Sequence, residues 1–381
     1  MFSFRTTSIF AQEDLALTKG RVGVLCDHTA WDPQTGEYIW ESFQKRGVLK
    51  RTFLYDVEKN ALNEPLTAEN LKDLSALVIE LQDLGCRYSP YPALILNLFN
   101  TVIDNGLEIS VFIVDRVNPG GRQVEGTLLR AGYRSEIGIE GIPHRHALTL
   151  GELAHYFYNW IGAKFPFHII SYKASTINKL LMPWSIPPTP YYSGLFTSAF
   201  YCGQYLWRAT NVSEGKGTSR PYEMFGAPFI EELSTYCKEH GLDGWNSPKN
   251  PLYTESVKLR WCNFTPKFDK WAGLKCYGFQ ILLNPDAGYN SVLHALKLMR
   301  FINDNCPAFR YSLQTIGDEN PIDEDKKTIE LLLGDKELID FVKGFGEWAD
   351  IKEHIKLEEQ KWIKKARRFL LYPGEDLFRI K

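Results

Sequence analysis

From Arg21 to Asp115 the chain alternates short β-branched, apolar runs with stretches in which apolar residues recur at helical spacing. The first pattern predicts strands and the second predicts amphipathic helices. Strands are predicted over Arg21–Cys26, Lys50–Tyr55, Ala76–Leu81 and Glu108–Asp115. Helices are predicted over Tyr38–Arg46, from Thr67 onward with Glu69 and Asn70 in the first turn, and over Pro92–Asn105. The last strand carries a continuous apolar run, as expected of a strand covered on both faces. Strands alternating with helices build a parallel sheet under crossover helices, so residues 1–165 are predicted to form a Rossmann-like α/β domain.

Beyond residue 165 the rhythm changes. Pro183–Tyr192 is rich in proline and aromatic residues, one strand is predicted at Lys275–Leu283, and the chain from Lys327 to Tyr372 reads as helical. Residues 166–381 are therefore expected to form a second, smaller α/β domain with a helical C-terminus.

Composition narrows the function. Lys and Arg number 44 against 46 Asp and Glu, a net charge of −2, so no global field attracts nucleic acid or an anionic membrane. The basic run Lys361–Arg368 follows an acidic one at Glu353–Glu359 and reads as the solvated face of a helix. Seven scattered cysteines without a CxxC pair signal neither a zinc site nor a disulfide framework. His144-Arg145-His146 lacks an acidic or cysteine partner at a fixed offset, so no metal and no cofactor is expected. Met1–Asp14 has no apolar run of signal-peptide length, which predicts a cytoplasmic protein, or a periplasmic or secreted one if a signal was trimmed. The 10 Trp and 19 Tyr suit either a large core or a site that stacks a sugar.

In open parallel sheets ligands bind where the carboxyl ends of the strands emerge. Here those exits carry Asp27-His28-Thr29, then Asp56 and Glu58, then Gln82-Asp83, then Asp115-Arg116-Val117-Asn118. No GxGxxG follows the first strand, which disfavours a dinucleotide. A second polar concentration, Thr210–Pro221, offers many donors to an oxygen-rich ligand, or bonds to itself as a surface loop. Several exits also have two readings: Asp115 with Arg116 as buried ion pair or ligand contact, His28 as turn cap or sugar contact, and Gln82 and Asp83 as backbone or ligand partners.

Asn211-Val212-Ser213-Glu214-Gly215-Lys216-Gly217-Thr218 followed by Glu223-Met224-Phe225-Gly226-Ala227-Pro228 resembles a long signature of the exo-β-N-acetylmuramidase family of glycoside hydrolases. Further landmarks keep that family's order, among them Gln82–Tyr88, Asp115–Pro119, Arg145-His146, Thr149–Leu153 and Phe264-Thr265-Pro266. The resemblance spans most of the chain. It implies a Rossmann-like domain joined to a smaller α/β domain, with a cleft that removes terminal N-acetylmuramic acid, or a related acidic amino sugar, from peptidoglycan fragments. It places Glu58 on the family's catalytic acid, with Asp56 as the alternative if the loop slides. It implies sugar contacts at His28, Gln82, Asp83, Arg87, Asp115, Arg116, Asn118, Arg145, His146, Asn211, Ser213, Lys216 and Thr218.

Glycoside cleavage commonly needs a second carboxylate, and Asp27, Asp83, Asp115 and Glu125 are all candidates. Arg87, Arg116, Arg145 and Lys216 are available for the sugar's carboxylate. The chain departs from the family pattern at Asp27, Lys59, Tyr191 and Arg208, the last exchanging an acid for a base. Three readings follow: a sugar hydrolase, a glycan-binding protein without turnover, or an enzyme acting on another anionic small molecule.

Overall fold

The computed structural model describes residues 20–33, 35–135, 138–171, 186–192, 194–284, 287–311 and 328–372. The sequence readings for Met1–Asp14 and Pro183–Ser185 lie outside these residues. The first half folds as the alternation predicts. Strands β1 (Val22–Cys26), β2 (Leu49–Asp56), β3 (Ala61–Leu62), β4 (Ala76–Glu80), β5 (Ser110–Val114) and β8 (Phe167–Ile170) form one sheet in the order β8-β5-β4-β1-β2-β3. All neighbours are parallel except β3, which turns back on β2 as a hairpin. Every residue of β1 and β4 is buried, which is why both run apolar without alternation as far as Glu80, the last residue of β4. Leaving β3 aside, the parallel strands run 2-1-3-4-5, a doubly wound order whose switch point lies beside β1. Phe167–Ile170 pairs with β5, so the parallel sheet continues past residue 165.

Helices α1 (Ile39–Lys45), α2 (Ala68–Leu71), α3 (Tyr91–Asp104) and α4 (Leu150–Trp160) supply the layers. Two of them start at caps legible in the sequence. Thr67 accepts from the amide of Asn70, and Thr149 and Glu152 form a reciprocal capping box. Between α3 and α4 a short antiparallel pair, β6 (Glu125–Leu128) and β7 (Pro143–Arg145), leaves the sheet and meets the second unit.

That unit contains a three-stranded antiparallel sheet, β9 (Met224–Ala227), β10 (Val257–Phe264) and β11 (Cys276–Leu283), in the order β9-β11-β10. Its core is closed by α5 (Leu195–Gln204), α6 (Ser291–Asn305), α7 (Thr328–Leu333) and α8 (Lys336–Val342). The sequence reading gave this sheet one strand instead of three. The expected helical C-terminus is three helices, α7, α8 and α9 (Trp348–Ala366), interrupted at Gly334 and again at Gly344 and Gly346. Helix α9 returns to the first unit. Trp362 is fully buried in the core of that unit, edge-on to Tyr156 of α4, and its indole donates to the carbonyl of His146 at 2.8 Å.

Two polar knots tie the units together. Arg87, buried and without a carboxylate in ion-pair range among the described residues, donates to the carbonyls of Thr127, Ile142, Leu332 and Leu333 and to Nε2 of His144. Leu332 and Leu333 end α7, so the guanidinium sits on the negative end of a helix dipole. Gly334 follows at φ +57°, and a Cβ there would fall 2.1 Å from Leu129. Because Arg87 only donates, Nε2 of His144 must accept, leaving Nδ1–H for the carbonyl of Thr127. Burial and the neighbouring Arg87 charge hold the His144 imidazole well below its ordinary pKa, so it stays neutral.

In the second knot Glu125 accepts from the amides of Ser291 and Val292 at the start of α6 and lies 3.3 Å from Arg145. Beside it Glu359 of α9 accepts from the amide of Gly126 and from Asn290.

Replacing Arg87 with Met is expected to lower the unfolding free energy by at least about 3 kcal/mol, because several buried acceptors lose their donor together; urea denaturation of the two proteins measures it. Burial raises the Glu359 carboxyl from 4.5 to about 7. A folded-state pKa above the unfolded one contributes stability that is complete below 4.5 and lost as pH rises through about 7. This group should therefore account for a loss of about 2–3 kcal/mol across that interval. Glu359→Gln should flatten that part of the stability–pH curve.

Candidate functional site

Strand β2 ends at Asp56 and turns through Val57–Asn60 into β3. The turn is built by its own side chains. Asp56 Oδ1 accepts from the amides of Glu58 at 3.0 Å and Lys59 at 3.1 Å, the self-bonding that suits aspartate to turns. Asn60 adopts φ +53°, tolerable for asparagine, and accepts from the hydroxyl of Tyr55. Glu58 is thereby held at the exposed tip of a tight hairpin at the carboxyl edge of the sheet.

The tip overhangs a cleft of about 930 Å³. Tyr38, Trp40, Leu54 and Tyr55 line it from the Rossmann-like unit, and Ile186, Pro187 and Pro190 from the connection between the units. Asp27, His28, Asp56, Glu58 and Lys59 supply its polar groups. An aromatic and aliphatic wall with a few convergent polar side chains is what a sugar ring needs for stacking and orientation. His28 Nε2 lies 2.9 Å from the carbonyl of Pro187, which can only accept, so this nitrogen carries the proton.

The cleft's carboxylates differ in environment. Asp27 is buried and fully engaged: Oδ1 accepts from the amide and hydroxyl of Thr29, and Oδ2 from Tyr91 at 2.5 Å. Asp56 is held below its ordinary pKa by the backbone and side chain of Lys59, whose ammonium lies 3.1 Å away. It stays ionised and is poorly suited to donate a proton. Glu58 is exposed at the tip and unencumbered by an ion pair among the described residues.

Of the residues singled out in the sequence, Glu58 and His28 line this cleft, together with Asp27 and Asp56. The other sheet-edge residues form a buried polar layer with partners inside the protein. Gln82 donates to the carbonyls of Asp83 and Val117. Asp83 accepts from the amide of Gly85 and lies 3.3 Å from His146 Nε2, while His146 Nδ1 accepts from the amide of Leu148. Asp115 accepts from Thr149, Gly151, Tyr372 and the amide of Arg116, and burial raises it to about 6. Arg116 donates to Thr29, Asn118 to the carbonyl of Leu148, and Arg145 to the carbonyls of Gly120, Ser198 and Ala199. Arg87 and Glu125 lie in the knots between the units.

The loop at 210–218 is largely self-bonded. Asn211 bridges to Ala308 and Arg310, Ser213 accepts from the amide of Gly215, and Thr218 donates to the carbonyl of Gly215. Lys216 instead stands with its ammonium 4.8 Å above the ring of Tyr191. Tyr38 and Trp40 were not singled out in the sequence. Their signal was available, since Trp40 falls off the buried face of α1 marked by Ile39 and Phe43. Among the described residues no group of three His, Cys, Asp or Glu could hold a metal ion, and no helix is long and apolar enough to cross a membrane.

Comparison with known proteins bears on both halves. Residues 22–193 match the family model described as "Exo-beta-N-acetylmuramidase NamZ, N-terminal", and residues 199–372 match the corresponding C-terminal model. The chain is 31% identical over 290 residues to peptidoglycan beta-N-acetylmuramidase NamZ of Bacillus subtilis (strain 168). That alignment takes in 75% of this chain and 64% of the relative, so the chain spans less than two thirds of the curated protein it matches. Two crystal structures of domain-of-unknown-function proteins from Bacteroides fragilis share the fold, with TM-scores of 0.71 and 0.68 at 20% and 19% identity. Each superposition covers 96% of this chain and 98% of the other.

Lys59→Met removes the ammonium beside Asp56 and leaves the turn amides in place. The Asp56 carboxyl should then titrate closer to its ordinary 3.8, a rise that carbon-detected NMR of the side-chain carboxyl measures.

Proposed function

The chain belongs to the exo-β-N-acetylmuramidase NamZ family, and on that premise we propose that it is an exo-acting glycoside hydrolase releasing terminal N-acetylmuramic acid, or a related acidic amino sugar, from peptidoglycan fragments. The observation that carries this reading is the position of Glu58. A carboxyl group on a self-braced hairpin overhangs an aromatic cleft at the carboxyl edge of a doubly wound sheet. The name of the Bacillus relative, a peptidoglycan β-N-acetylmuramidase, supports the substrate class.

In this reading the sugar stacks against Trp40, Tyr38 and Tyr55, and the proline wall at Pro187 and Pro190 closes over it. Glu58 protonates the glycosidic oxygen as the bond to the anomeric carbon breaks. Asp56, kept ionised by Lys59, stabilises the positive charge that develops on the ring. His28, with its Nε2 proton committed to Pro187, fixes that wall to the sheet edge. Asp27, with its hydrogen bonds from Thr29 and Tyr91, holds the first strand exit rigid beneath the ligand. Water supplies the hydroxyl of the product, and no cofactor is required.

Glu58→Gln keeps the shape of the tip and removes the proton. It is expected to reduce release of free sugar from a chromogenic β-N-acetylmuramide by a factor of about 10² or more while leaving sugar binding in place. Turnover equal to that of the wild type would remove Glu58 from the reaction.

A further inference from the structure

Buried charges in proteins are nearly always paired, because an isolated ion loses far more hydration than the interior returns. The Tyr205–Tyr222 region holds two cations whose pairing is weak or missing among the described residues. Lys216 is 6% exposed, yet among the described residues no hydrogen bond reaches its ammonium. Its nearest acceptors are Asp269 at 3.6 Å and Glu214 at 3.8 Å. Glu214 is already held by Lys270 at 3.0 Å. Arg208 lies with its guanidinium 5.3 Å from the centre of the Tyr205 ring and bonds to the Tyr222 hydroxyl, with no carboxylate in ion-pair range among the described residues. A guanidinium has five N–H donors, so most of its capacity is unspent.

The loop backbone keeps Lys216 where it is. It sits between Gly215 at φ +81° and Gly217 at φ +77°, and a Cβ on Gly217 would fall 2.6 Å from the carbonyl oxygen of Phe268. The charge balance is unfavourable as it stands. Arg208, Lys216 and Lys270 face Glu214 and Asp269, leaving one positive charge in excess in a largely buried setting. Burial and repulsion from Arg208 depress the Lys216 pKa, and the distant carboxylates of Glu214 and Asp269 do not offset them. The cluster adjoins the cleft, since Tyr191 beneath Lys216 follows Pro190 of the cleft wall.

We propose that Arg208 and Lys216 form an anion subsite at the edge of the cleft that binds a carboxylate of the sugar ligand. The planar guanidinium matches a carboxylate with two parallel N–H bonds, and the ammonium approaches from the side of Tyr191. The sequence offered Arg87, Arg116, Arg145 and Lys216 for this task. Arg87 and Arg145 spend their donors on protein carbonyls and Arg116 is turned to Thr29, 4.0 Å from Glu80, whereas among the described residues no hydrogen bond reaches the Lys216 ammonium and Arg208 has only the Tyr222 hydroxyl. The identity of the ligand rests on the hydrolase reading; the existence of the subsite does not.

The test is calorimetric titration of the full chain with N-acetylmuramic acid and with N-acetylglucosamine, which lacks the lactyl carboxylate. The wild type should bind the acid at least about tenfold more tightly, and Arg208→Met and Lys216→Met should each remove most of that preference without weakening N-acetylglucosamine. Arg208→Lys, which keeps the charge and loses the fork, should retain part of it, and thermal unfolding of each variant separates a lost subsite from a lost fold. An undiminished preference in both folded methionine variants overturns the proposal. If neither sugar binds, the hydrolase reading falls, and titration with D-lactate alone, followed through the side-chain nitrogen resonances of Arg208 and Lys216, still decides the subsite. Saturable shifts that vanish in the methionine variants support it. No response, or an equal response in the variants, overturns it.

Discussion

A single guanidinium, with no counter-ion in ion-pair range among the described residues, sets the relation between the two halves of this protein. Arg87 is answered by carbonyl dipoles, two of them from the end of a helix in the second unit and the others from β6 and the connection into β7. Dipoles stabilise a buried charge only when they are held in place, so this arrangement demands rigidity on both sides at once. It also dictates the tautomer of His144, and the helix end it grips runs into Gly334, where a Cβ would strike Leu129. The cleft wall at Ile186–Pro190 lies on the connection between these units and inherits its position from their docking.

Much of the architecture was legible because the local signals agreed with one another. Four of the five parallel strands announced themselves by apolar runs and one helix start by its cap at Thr67, while the strand at Phe167–Ile170 and the helix capped by Thr149 were not read. Strand β10 carried a signal that was passed over. Val257, Leu259 and Cys262 are buried while Lys258, Arg260 and Asn263 are exposed, close to the two-residue alternation of a strand with one wet face. Strand β9 offered only four buried residues and no alternation to read.

The candidate site was legible in part, for a physical reason. A sequence shows that Arg87, Arg116, Arg145 and Asp115 stand near strand exits, but not whether their hydrogen-bonding capacity is consumed by the protein. That depends on carbonyls brought from Leu332, Thr29 and Ala199 and on the hydroxyl of Tyr372, positions remote in the chain. Glu58 entered through the family resemblance, and its structural setting is local. The aspartate and asparagine around it make the turn that presents it. The chemistry of the cleft edge then turns on which charges are spent and which are not, a property of the tertiary structure.

The return of the final helix to the first unit has a bearing on how the chain is made. Trp362 fills the core beside Tyr156 of α4, Leu371 donates to Glu152, and the hydroxyl of Tyr372 completes the shell around Asp115. On the ribosome, the Rossmann-like sheet therefore emerges long before the side chains that finish its core. Its last core contacts become available only after the second unit has been made. The core of the first unit is thus completed by hydrogen bonds between residues more than two hundred positions apart, a high-contact-order feature that slows folding.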